Sequence, residues 1–181
     1  MTRRAESSMR TIYARTLTLE PQTAMHAAEM FAVLSDPAIY AYENQPPASV
    51  EWLRTRFEKL ESRRSADGTE QWLNWVIRIP GGRLIGYVQA TVRPDGSAAI
   101  AYVLASAHWG RGFARRATEA MLDELIERYR VTTFLAVAKL QNAPSLRLLV
   151  RLGFAPASLE RCAMTRVDRD EILMVRGVGR P

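Results

Sequence analysis

A change in the pattern of apolar residues, a little past the middle of the chain, limits the folds open to this sequence. Before it, strand-like runs at 72–79, 84–92 and 98–104 are separated only by short turns rich in Gly and Pro, which is typical of antiparallel hairpins. After it, a helical stripe at 114–130 leads into a buried-strand pattern at 132–138. A strand, a helix and a second strand in succession favour one parallel crossover. The chain therefore predicts a mixed sheet, and not a doubly wound nucleotide fold, in which strands and helices would alternate throughout.

The segments on either side complete this outline. A strand-like alternation precedes two amphipathic helices, and the chain ends on a shorter helix and two more strands. The fold class predicted is α/β in the mixed α+β sense, with a mostly antiparallel sheet of about seven strands and with four helices. The outer elements are a strand at 11–19, a helix after Pro21 with Met25, Ala28, Phe31 and Leu34 on its apolar face, a helix capped by Ser49 with Trp52, Leu53, Phe57 and Leu60 on its apolar face, a helix at 144–152, and strands around 155–164 and 171–175.

The length of 181 residues and a hydrophobic share of 48% suit one domain with a filled core. We expect residues 1–10 to be a flexible tail, since their basic side chains precede no apolar segment of the kind found in a secretory signal. Residues 11–181 would form the domain. No apolar run reaches the roughly 20 residues of a membrane span. These features predict a cytoplasmic protein that does not enter a membrane.

Cysteine and histidine are scarce, and the charge is basic. Cys162 has no partner for an internal disulfide, and with only His26 and His108 beside it the sequence predicts no dedicated metal site. The formal net charge of +6 would suit nucleic acid, but the arginines are scattered along the chain, which favours solvated faces over one basic tract. A basic surface would also attract a polyanionic cofactor, and composition does not separate these alternatives.

The strand at 98–104 runs into a Gly-containing turn that opens directly onto the long helix. Gly110 and Gly112 allow the backbone to bend closely. The helix that follows presents unpaired N–H groups and the positive end of its dipole, which suits a phosphate or pyrophosphate. A P-loop is absent, and Arg115 stands where a dinucleotide fingerprint needs Gly or Ala.

A second element follows the next strand. Asn142-Ala-Pro-Ser145 precedes a helix, and Gly153-Phe154 comes about one helix later. Taken alone, Asn142 or Ser145 would be a helix cap and Pro144 a first-turn residue. The two elements in combination are more specific than either one.

Together they resemble the GNAT acetyltransferases. Trp109-Gly-Arg-Gly112-Phe-Ala114 occupies the position of that family's Gln/Arg-x-x-Gly-x-Gly/Ala turn. Asn142, Ser145 and Leu152-Gly-Phe154 match its later Asn-x-x-Ser/Ala and Leu-Gly-Phe signatures. The form of both motifs is most similar to the branch that contains the ribosomal-protein N-acetyltransferases. The resemblance is strongest over residues 84–154 and implies a GNAT-like fold.

The resemblance also implies where acetyl-CoA would bind as the acyl donor. The backbone of Tyr102, Val103 and Leu104 would pair with the pantetheine arm as an added strand does, and one of those amides would polarise the thioester carbonyl. Asn142 would hydrogen-bond the arm, and Ser145 would lie near the sulfur. The implied pyrophosphate turn consists of Gly110, Arg111, Gly112, Phe113, Ala114 and Arg115, with charge-assisted contacts from the two arginines.

The sequence departs from the family pattern at two positions, one in the turn and one at the proton donor. Trp109 replaces Gln or Arg, and Leu149 stands where many relatives carry the Tyr that protonates the leaving thiolate. Ser145 is therefore the candidate acid, directly or through water. No metal is implied.

The candidate bases that would deprotonate the attacking amine are carboxylates. Glu43 lies in a loop at 38–48, and Glu160 lies on a predicted late strand, although each would equally suit a solvated charge. Cys162 is interpreted as a packed strand residue, because no His motif accompanies it.

The implied reaction is direct attack by a neutral amine on the acetyl carbon, without an acyl-enzyme. The acceptor is open among a protein N-terminus, a free amino acid, a polyamine and an aminoglycoside, and a longer acyl donor is also open. Specificity is expected from residues 36–70, where Tyr40 and Tyr42 are candidate substrate contacts, and from the C-terminal strands. A non-catalytic acyl-CoA-binding regulatory module is the alternative function. Nucleic-acid binding is disfavoured, and a homodimer fits the bordering apolar residues.

Overall fold

Eight strands form a mixed sheet in the computed structural model, which describes residues 9–42, 44–158, 160, 162, 165 and 167–179. The strands are β1 Ile12–Ala14, β2 Leu17–Pro21, β3 Gln71–Arg78, β4 Leu84–Val92, β5 Ser97–Leu104, β6 Thr133–Lys139, β7 Ala155–Pro156 and β8 Glu171–Gly177. The helices are α1 Ala27–Leu34, α2 Val50–Leu60, α3 Phe113–Tyr129 and α4 Ala143–Arg151, with short 3-10 helices at Ala24–His26, Pro37–Tyr40 and Ser106–His108.

The strands lie in the order β1-β2-β3-β4-β5-β6-β8-β7. Neighbours are antiparallel except β5 and β6, which run parallel because α3 carries the chain across the sheet between them. The prediction of a mixed, mostly antiparallel sheet with four helices is confirmed. The sheet has eight strands instead of about seven, because the chain turns at Arg15 and Thr16 and the run at 11–19 forms the hairpin of β1 and β2.

Both faces of the sheet are covered. α3 and α4 pack on one face, in a cluster that includes Trp75, Met121 and Phe134. α1 and α2 pack on the other face, against Val76 and Leu84. Because each strand in the middle of the sheet faces helices on both sides, β3 has five consecutive buried residues although its neighbours are antiparallel.

α2 begins where the sequence predicts. The Ser49 hydroxyl accepts a hydrogen bond from the N–H of Trp52 at 3.0 Å, which caps the helix. Leu53 and Phe57 are buried as predicted. The prediction that Trp52 lies on the apolar face is wrong. Its side chain is half exposed, with the Arg56 guanidinium 5.8 Å from the ring centroid.

The apolar face predicted for the first helix is confirmed at Leu34, which is buried, and at Phe31, which packs against the same cluster, but it is wrong at Met25 and Ala28. A short 3-10 helix at Ala24–His26, capped by Thr23, precedes α1 and changes the direction in which the following side chains point. Met25 is 92% exposed and Ala28 is also exposed. The side chains that α1 buries are Ala27, Met30 and Leu34.

The strand predicted around 155–164 is mostly wrong. β7 contains only Ala155 and Pro156, and proline has no N–H with which to extend a strand ladder. The N–H of Cys162 donates to the carbonyl of Ser158 at 3.0 Å, which is a helical spacing. Glu160 and Cys162 are therefore helical residues and not strand residues.

Arg10 is tied into the domain. Its guanidinium donates to the buried carboxylate of Glu124 on α3, with Nη2 2.6 Å from Oε2. Its carbonyl accepts a hydrogen bond from the Trp75 indole at 3.1 Å. These contacts hold the start of the described chain against α3 and β3. Over the described residues, no helix is long and apolar enough to cross a membrane.

Candidate active site

The site begins where β5 and β6 separate. The two strands are paired only at Ser97–Thr133, Ala98–Phe134 and Ala99–Leu135. Beyond these pairs, the edge of β5 at 100–104 that faces β6 has no strand partner among the described residues, although the opposite edge pairs with β4 along its whole length. We call the free edge at 100–104 the inner edge. Backbone N–H and C=O groups along such an edge can pair with an extended ligand.

Gly86 allows β4 to lie close to β5, on the side of β5 opposite to the inner edge. A Cβ built at Gly86 would lie 2.0 Å from the carbonyl oxygen of Val103 and 2.9 Å from the Cα of Leu104. The backbones of β4 and β5 can approach this closely only because Gly86 has no side chain. This residue was missed at the sequence level, because a glycine inside a strand does not reveal which backbone it faces.

The chain leaves β5 through a short 3-10 helix and a turn formed by Trp109, Gly110, Arg111 and Gly112, which we call the glycine turn. The Trp109 indole N–H donates to the carbonyl of Leu104 at 2.9 Å and so ties the turn to the end of β5. Gly110 and Gly112 have φ values of 70° and 76°, in the left-handed region that other residues rarely adopt. The turn predicted from the two glycines is therefore present in the structure.

α3 starts directly after the glycine turn. Gly112 is the N-cap and has no side chain with which to cap the helix, so the first N–H groups of α3 remain available to an anion. The guanidinium groups of Arg111 and Arg116 lie 5.2 and 5.0 Å from the Phe113 ring centroid. Positive charge is therefore concentrated at the positive end of the helix dipole.

The arginines of this turn have different roles. Arg115 pairs with Glu119 one helical turn later, with Nε 2.8 Å from Oε1, so its guanidinium is directed along α3 in this structure. Arg116 instead faces the turn and donates to the carbonyl of Arg111 at 3.1 Å. Arg116 was not among the residues predicted from the sequence. Its orientation depends on how the turn folds back over the first residues of α3.

His108 lies beside the same turn. Its ring packs edge-on against Phe113, with centroids 6.0 Å apart, and its Nδ1 is buried with no hydrogen-bond partner among the described residues. Burial, followed by the charges of Arg111 and Arg83, lowers the pKa of His108 below its ordinary value. The imidazole is therefore neutral at neutral pH.

Asn142 and Ser145 meet at the start of α4. The Asn142 side-chain oxygen accepts a hydrogen bond from the Ser145 N–H at 3.1 Å, so Asn142 is the N-cap of this helix. The hydroxyls of Ser145 and Tyr102 are 2.8 Å apart, and the Tyr102 hydroxyl is 3.3 Å from the Ser145 carbonyl oxygen. The structure thus connects the inner edge to the start of α4 across the gap between β5 and β6.

The environment of Tyr102 favours its neutral form. Burial raises the pKa of its phenol, and the hydrogen bond with Ser145 opposes that shift in part. A phenol that stays protonated can donate to Ser145, whose own proton can then be given to a third group. Leu149, at the position of the tyrosine found in many relatives, is almost fully buried in the cluster against which Tyr102 packs, and it has no proton to donate.

Asp36 ties the connection between α1 and α2 to the end of β5. One carboxylate oxygen accepts from the N–H of Ser106 at 2.7 Å, and the other accepts from the N–H of Ala38 at 3.0 Å. Hydrogen bonds, first of all those with Ser106, lower the pKa of Asp36. The sequence indicated only that a helix ends here. The contact with Ser106 spans 70 positions and has no local signal.

The two predicted bases are not brought to this site by any described contact. Glu43 lies outside the described residues. Glu160 is exposed and helical, which corrects its predicted place on a strand. Of the loop tyrosines, Tyr42 is 40% exposed, whereas the hydroxyl of Tyr40 donates to the carbonyl of Leu34 at 2.7 Å. Within the described parts of the chain, no group of three or more His, Cys, Asp or Glu side chains is placed to hold a metal ion.

Comparison with known families identifies this arrangement. Residues 16–155 match the model of the acetyltransferase (GNAT) domain, a span that includes the inner edge, the glycine turn and the start of α4. The chain belongs to the GNAT acetyltransferases. It is therefore an acetyltransferase, as the resemblance of its motifs implied.

Individual relatives of this GNAT acetyltransferase agree with the assignment. A protein of Bacillus licheniformis named uncharacterized N-acetyltransferase p20 is 27% identical over 156 residues, which cover 84% of this chain and 86% of the relative.

Solved structures share the fold at lower identity. RimL, a ribosomal L7/L12 alpha-N-protein acetyltransferase solved in complex with coenzyme A, matches with a TM-score of 0.78 and 16% identity over 93% of this chain and 98% of its own. RimJ of Mycobacterium smegmatis, solved in complex with a CoA-disulfide, matches with a TM-score of 0.75 and 22% identity over 93% of this chain and 87% of its own. At these identities the structures support the GNAT fold.

Proposed function

We propose that this GNAT acetyltransferase transfers an acetyl group from acetyl-CoA to a primary amine by direct attack of the amine on the thioester. The observation that carries the proposal is the continuity of the inner edge of β5 with the glycine turn and the start of α3. An extended arm and an anionic group, joined in one ligand, would be bound by consecutive parts of one chain segment. Pantetheine and pyrophosphate have this arrangement in coenzyme A.

The proposed binding mode uses backbone groups for most contacts. The inner edge at Tyr102, Val103 and Leu104 would pair with the pantetheine arm, and a backbone N–H there would stabilise the oxyanion that forms on the thioester carbonyl. The pyrophosphate would lie on the glycine turn and on the first N–H groups of α3, through Phe113 and Ala114. Arg111 would add a charge-assisted contact to the pyrophosphate. Arg115 would add another once its ion pair with Glu119 is broken.

The proposed chemistry has two proton movements. The amine loses a proton as it attacks, and the thiolate of coenzyme A gains one as it leaves. Ser145 is the proposed donor to the thiolate, and Tyr102 would replace that proton through the 2.8 Å contact between the two hydroxyls. Asn142 would place Ser145 through its cap and bond the cofactor arm. Glu43 remains the proposed base, with Glu160 as the second candidate.

The acceptor class is proposed only as a protein N-terminus or a small amine. RimL, which shares this fold, is a ribosomal L7/L12 alpha-N-protein acetyltransferase, and this supports the first of these. Cytoplasmic location and a homodimer stay predictions from the sequence, as does the division into a tail at 1–10 and one domain at 11–181.

The test is acetyl-CoA binding by calorimetry, with free thiol released in the presence of amines as the readout of turnover. Wild type should bind acetyl-CoA at micromolar strength, and Gly112→Trp should lose binding because a side chain would fill the turn and meet Arg116. Gly68→Trp is the matched control. Gly68 also has a left-handed φ, of 72°, but it lies in the loop before β3 with no atom within 4 Å of an added Cβ.

Two results would contradict the proposal. Absence of binding at saturating acetyl-CoA would remove its basis. Binding without turnover on any amine would favour the non-catalytic acyl-CoA-binding module instead.

A further inference from the structure

A cavity lies on the face of the sheet that α1 and α2 cover, opposite to α3 and α4. Its volume is about 350 Å³, and it lies between α2 and strands β3 and β4. Its walls include two cations, two amides and one large aromatic ring, from Arg56, Lys59, Asn74, Gln89 and Trp72. A space with exposed cations on one wall and amides on its floor suits a small polar ligand.

Asn74 shows that the floor of this cavity is suited to a polar group. The residue is only 5% exposed, and its backbone carbonyl is satisfied by the N–H of Gln22 at 2.9 Å. Its side-chain amide, by contrast, has no hydrogen-bond partner among the described residues, although it lines the cavity. An amide that lines a cavity and has no protein partner can form hydrogen bonds with water or with a ligand there. The amide is thus available to a ligand.

The cations above this floor are also available. Arg56 and Lys59 are on neighbouring turns of α2, both are exposed, and neither forms an ion pair with the described residues. Glu70, an acidic group at the rim through its contact with Trp72, already pairs with Arg93 at 3.3 Å. The charge that a ligand meets inside this cavity is therefore positive.

The cavity lies over β3 and β4, on the side of β5 opposite to its inner edge. Gln89 is the register partner of Ala101, and Thr91, which also lines the cavity, is the partner of Ala99. Alternation along β5 places Ala99 and Ala101 on the same face as Val103, which packs with the α1 and α2 cluster. On this face Ala99 and Ala101 lie between the cavity and the inner edge, and both side chains are short.

From these observations we infer that the cavity is the acceptor site and that the acceptor is a primary amine carrying a carboxylate. Arg56 and Lys59 bind the carboxylate, the Asn74 amide donates to a polar group of the same molecule, and Trp72 covers its apolar part. The inference rests on the proposed acetyl transfer and assigns its substrate class. It disfavours polyamines and aminoglycosides, whose additional positive charges would be repelled by the two cations.

The first test compares acceptors that differ only in one charge. The peptide amides Ala-Glu-Ala-Ala and Ala-Gln-Ala-Ala present the same amine, and the α-amides of glutamate and glutamine, which differ only in the side-chain charge, separate small-molecule from peptide acceptors. Wild type should favour one or both of the acidic acceptors by about tenfold in kcat/KM, and the preference should shrink as salt is added. Arg56→Gln/Lys59→Gln should lose it. Arg54→Gln, which removes an exposed charge from the same helix outside the cavity, should keep it.

Charge reversal makes the test independent of a simple loss of folding. Arg56→Glu/Lys59→Glu should favour a diamine over glutamate, and a gain of this kind cannot come from an unfolded protein. Equal rates with acidic and neutral acceptors in wild type, or a preference that survives in the double Gln variant, would overturn the inference alone. Failure of wild type to bind acetyl-CoA in the same samples would overturn the proposed function and this inference together.

Asn74→Leu separates binding from stability. Because the amide forms no hydrogen bond with the described residues, the variant should unfold at a temperature close to that of wild type. Its KM for the acidic acceptor should rise about fivefold, with the KM for acetyl-CoA unchanged. An unchanged KM for the acceptor would count against the assignment of the cavity.

Discussion

The hydroxyl groups of Tyr102 and Ser145 are 2.8 Å apart, although 43 positions separate the two residues in the chain. The contact joins β5 to α4 across the gap between β5 and β6. It also gives this enzyme a tyrosine next to the proposed position of the sulfur, although the tyrosine of many relatives is replaced by the buried Leu149.

Substitution of this pair should lower turnover and leave binding unchanged. Ser145→Ala should reduce kcat by about a hundredfold, the lower end of what a general acid contributes. Tyr102→Phe should reduce it by about tenfold, and the double variant should be no slower than Ser145→Ala because the two groups act in series. Thiol release measures kcat, and calorimetry should show an unchanged Kd for acetyl-CoA. Losses that multiply in the double variant would mean that the two hydroxyls act separately.

The same pair makes a prediction about pH. Burial raises the pKa of Tyr102 above its ordinary value of 10.0, so the donor remains protonated across the usual assay range. The kcat of wild type should therefore show no decline from loss of this proton below pH 10. An alkaline limb near pH 8 that disappears in Tyr102→Phe would contradict this assignment.

Gly86→Ala should lower stability and weaken acetyl-CoA binding, although Gly86 lies on the side of β5 opposite to the inner edge. The added methyl would lie 2.0 Å from the Val103 carbonyl oxygen, so β4 and β5 must move apart. We expect a loss of about 3 kcal/mol in the free energy of unfolding, together with weaker acetyl-CoA binding. Gly82→Ala, in the turn before β4, is the control, since no atom lies within 4 Å and only its left-handed φ of 88° costs about 1 kcal/mol. Urea unfolding and calorimetry give the two readouts.

Asp36→Ala should loosen the connection between α1 and α2. Removal of the carboxylate frees the N–H groups of Ser106 and Ala38, so hydrogen exchange should accelerate at 37–42 and at Ser106. Asp67→Ala is the control, because Asp67 accepts from the N–H of Thr69 in a loop away from the site. Since the pKa of Asp36 is lowered on folding, its contribution to stability is complete well above pH 3.8 and is lost as the pH falls through its folded value. Equal exchange at Ser106 in Asp36→Ala and wild type would contradict this role.

His108 makes stability depend on pH in a higher range. Its pKa is lower in the folded protein than its ordinary value of 6.5, so folding disfavours the protonated imidazole. Its contribution is therefore complete above that value and declines as the pH falls below it towards the folded pKa. The melting temperature of wild type should fall more steeply between pH 7 and 5 than that of His108→Gln. Parallel curves would show that the ring does not titrate differently on folding.

The sequence predicts those parts of the fold that depend on local patterns. The hairpin of β3 and β4, the long α3, the cap at Ser49 and the turn at Gly110 and Gly112 all have signals within a few residues of where they occur. The errors also have local causes. The 3-10 helix at Ala24–His26 shifts the phase at the start of α1, and the turn at Arg15 divides the first strand.

The contacts that build the site are not local. Asp36 bonds Ser106, and Tyr102 bonds Ser145, because the sheet brings distant segments together. The spacing of these residues in the sequence does not predict either contact. The role of Gly86 likewise depends on the strand that passes behind it. Residues near the turn could be named from a motif, but the partner of each one is set by tertiary packing.

The short pairing of β5 with β6 has a consequence for the apo protein as a whole. Three residue pairs are the only strand contacts between the larger part of the sheet, β1 to β5, and the smaller part, β6 to β8, within the described chain. The open edge between them resembles an exposed edge strand, the kind of surface through which chains exchange segments or aggregate. A cofactor that fills this edge would act as a ninth strand and join two cooperative units into one. Acetyl-CoA would thus stabilise the folded protein in addition to supplying the acetyl group.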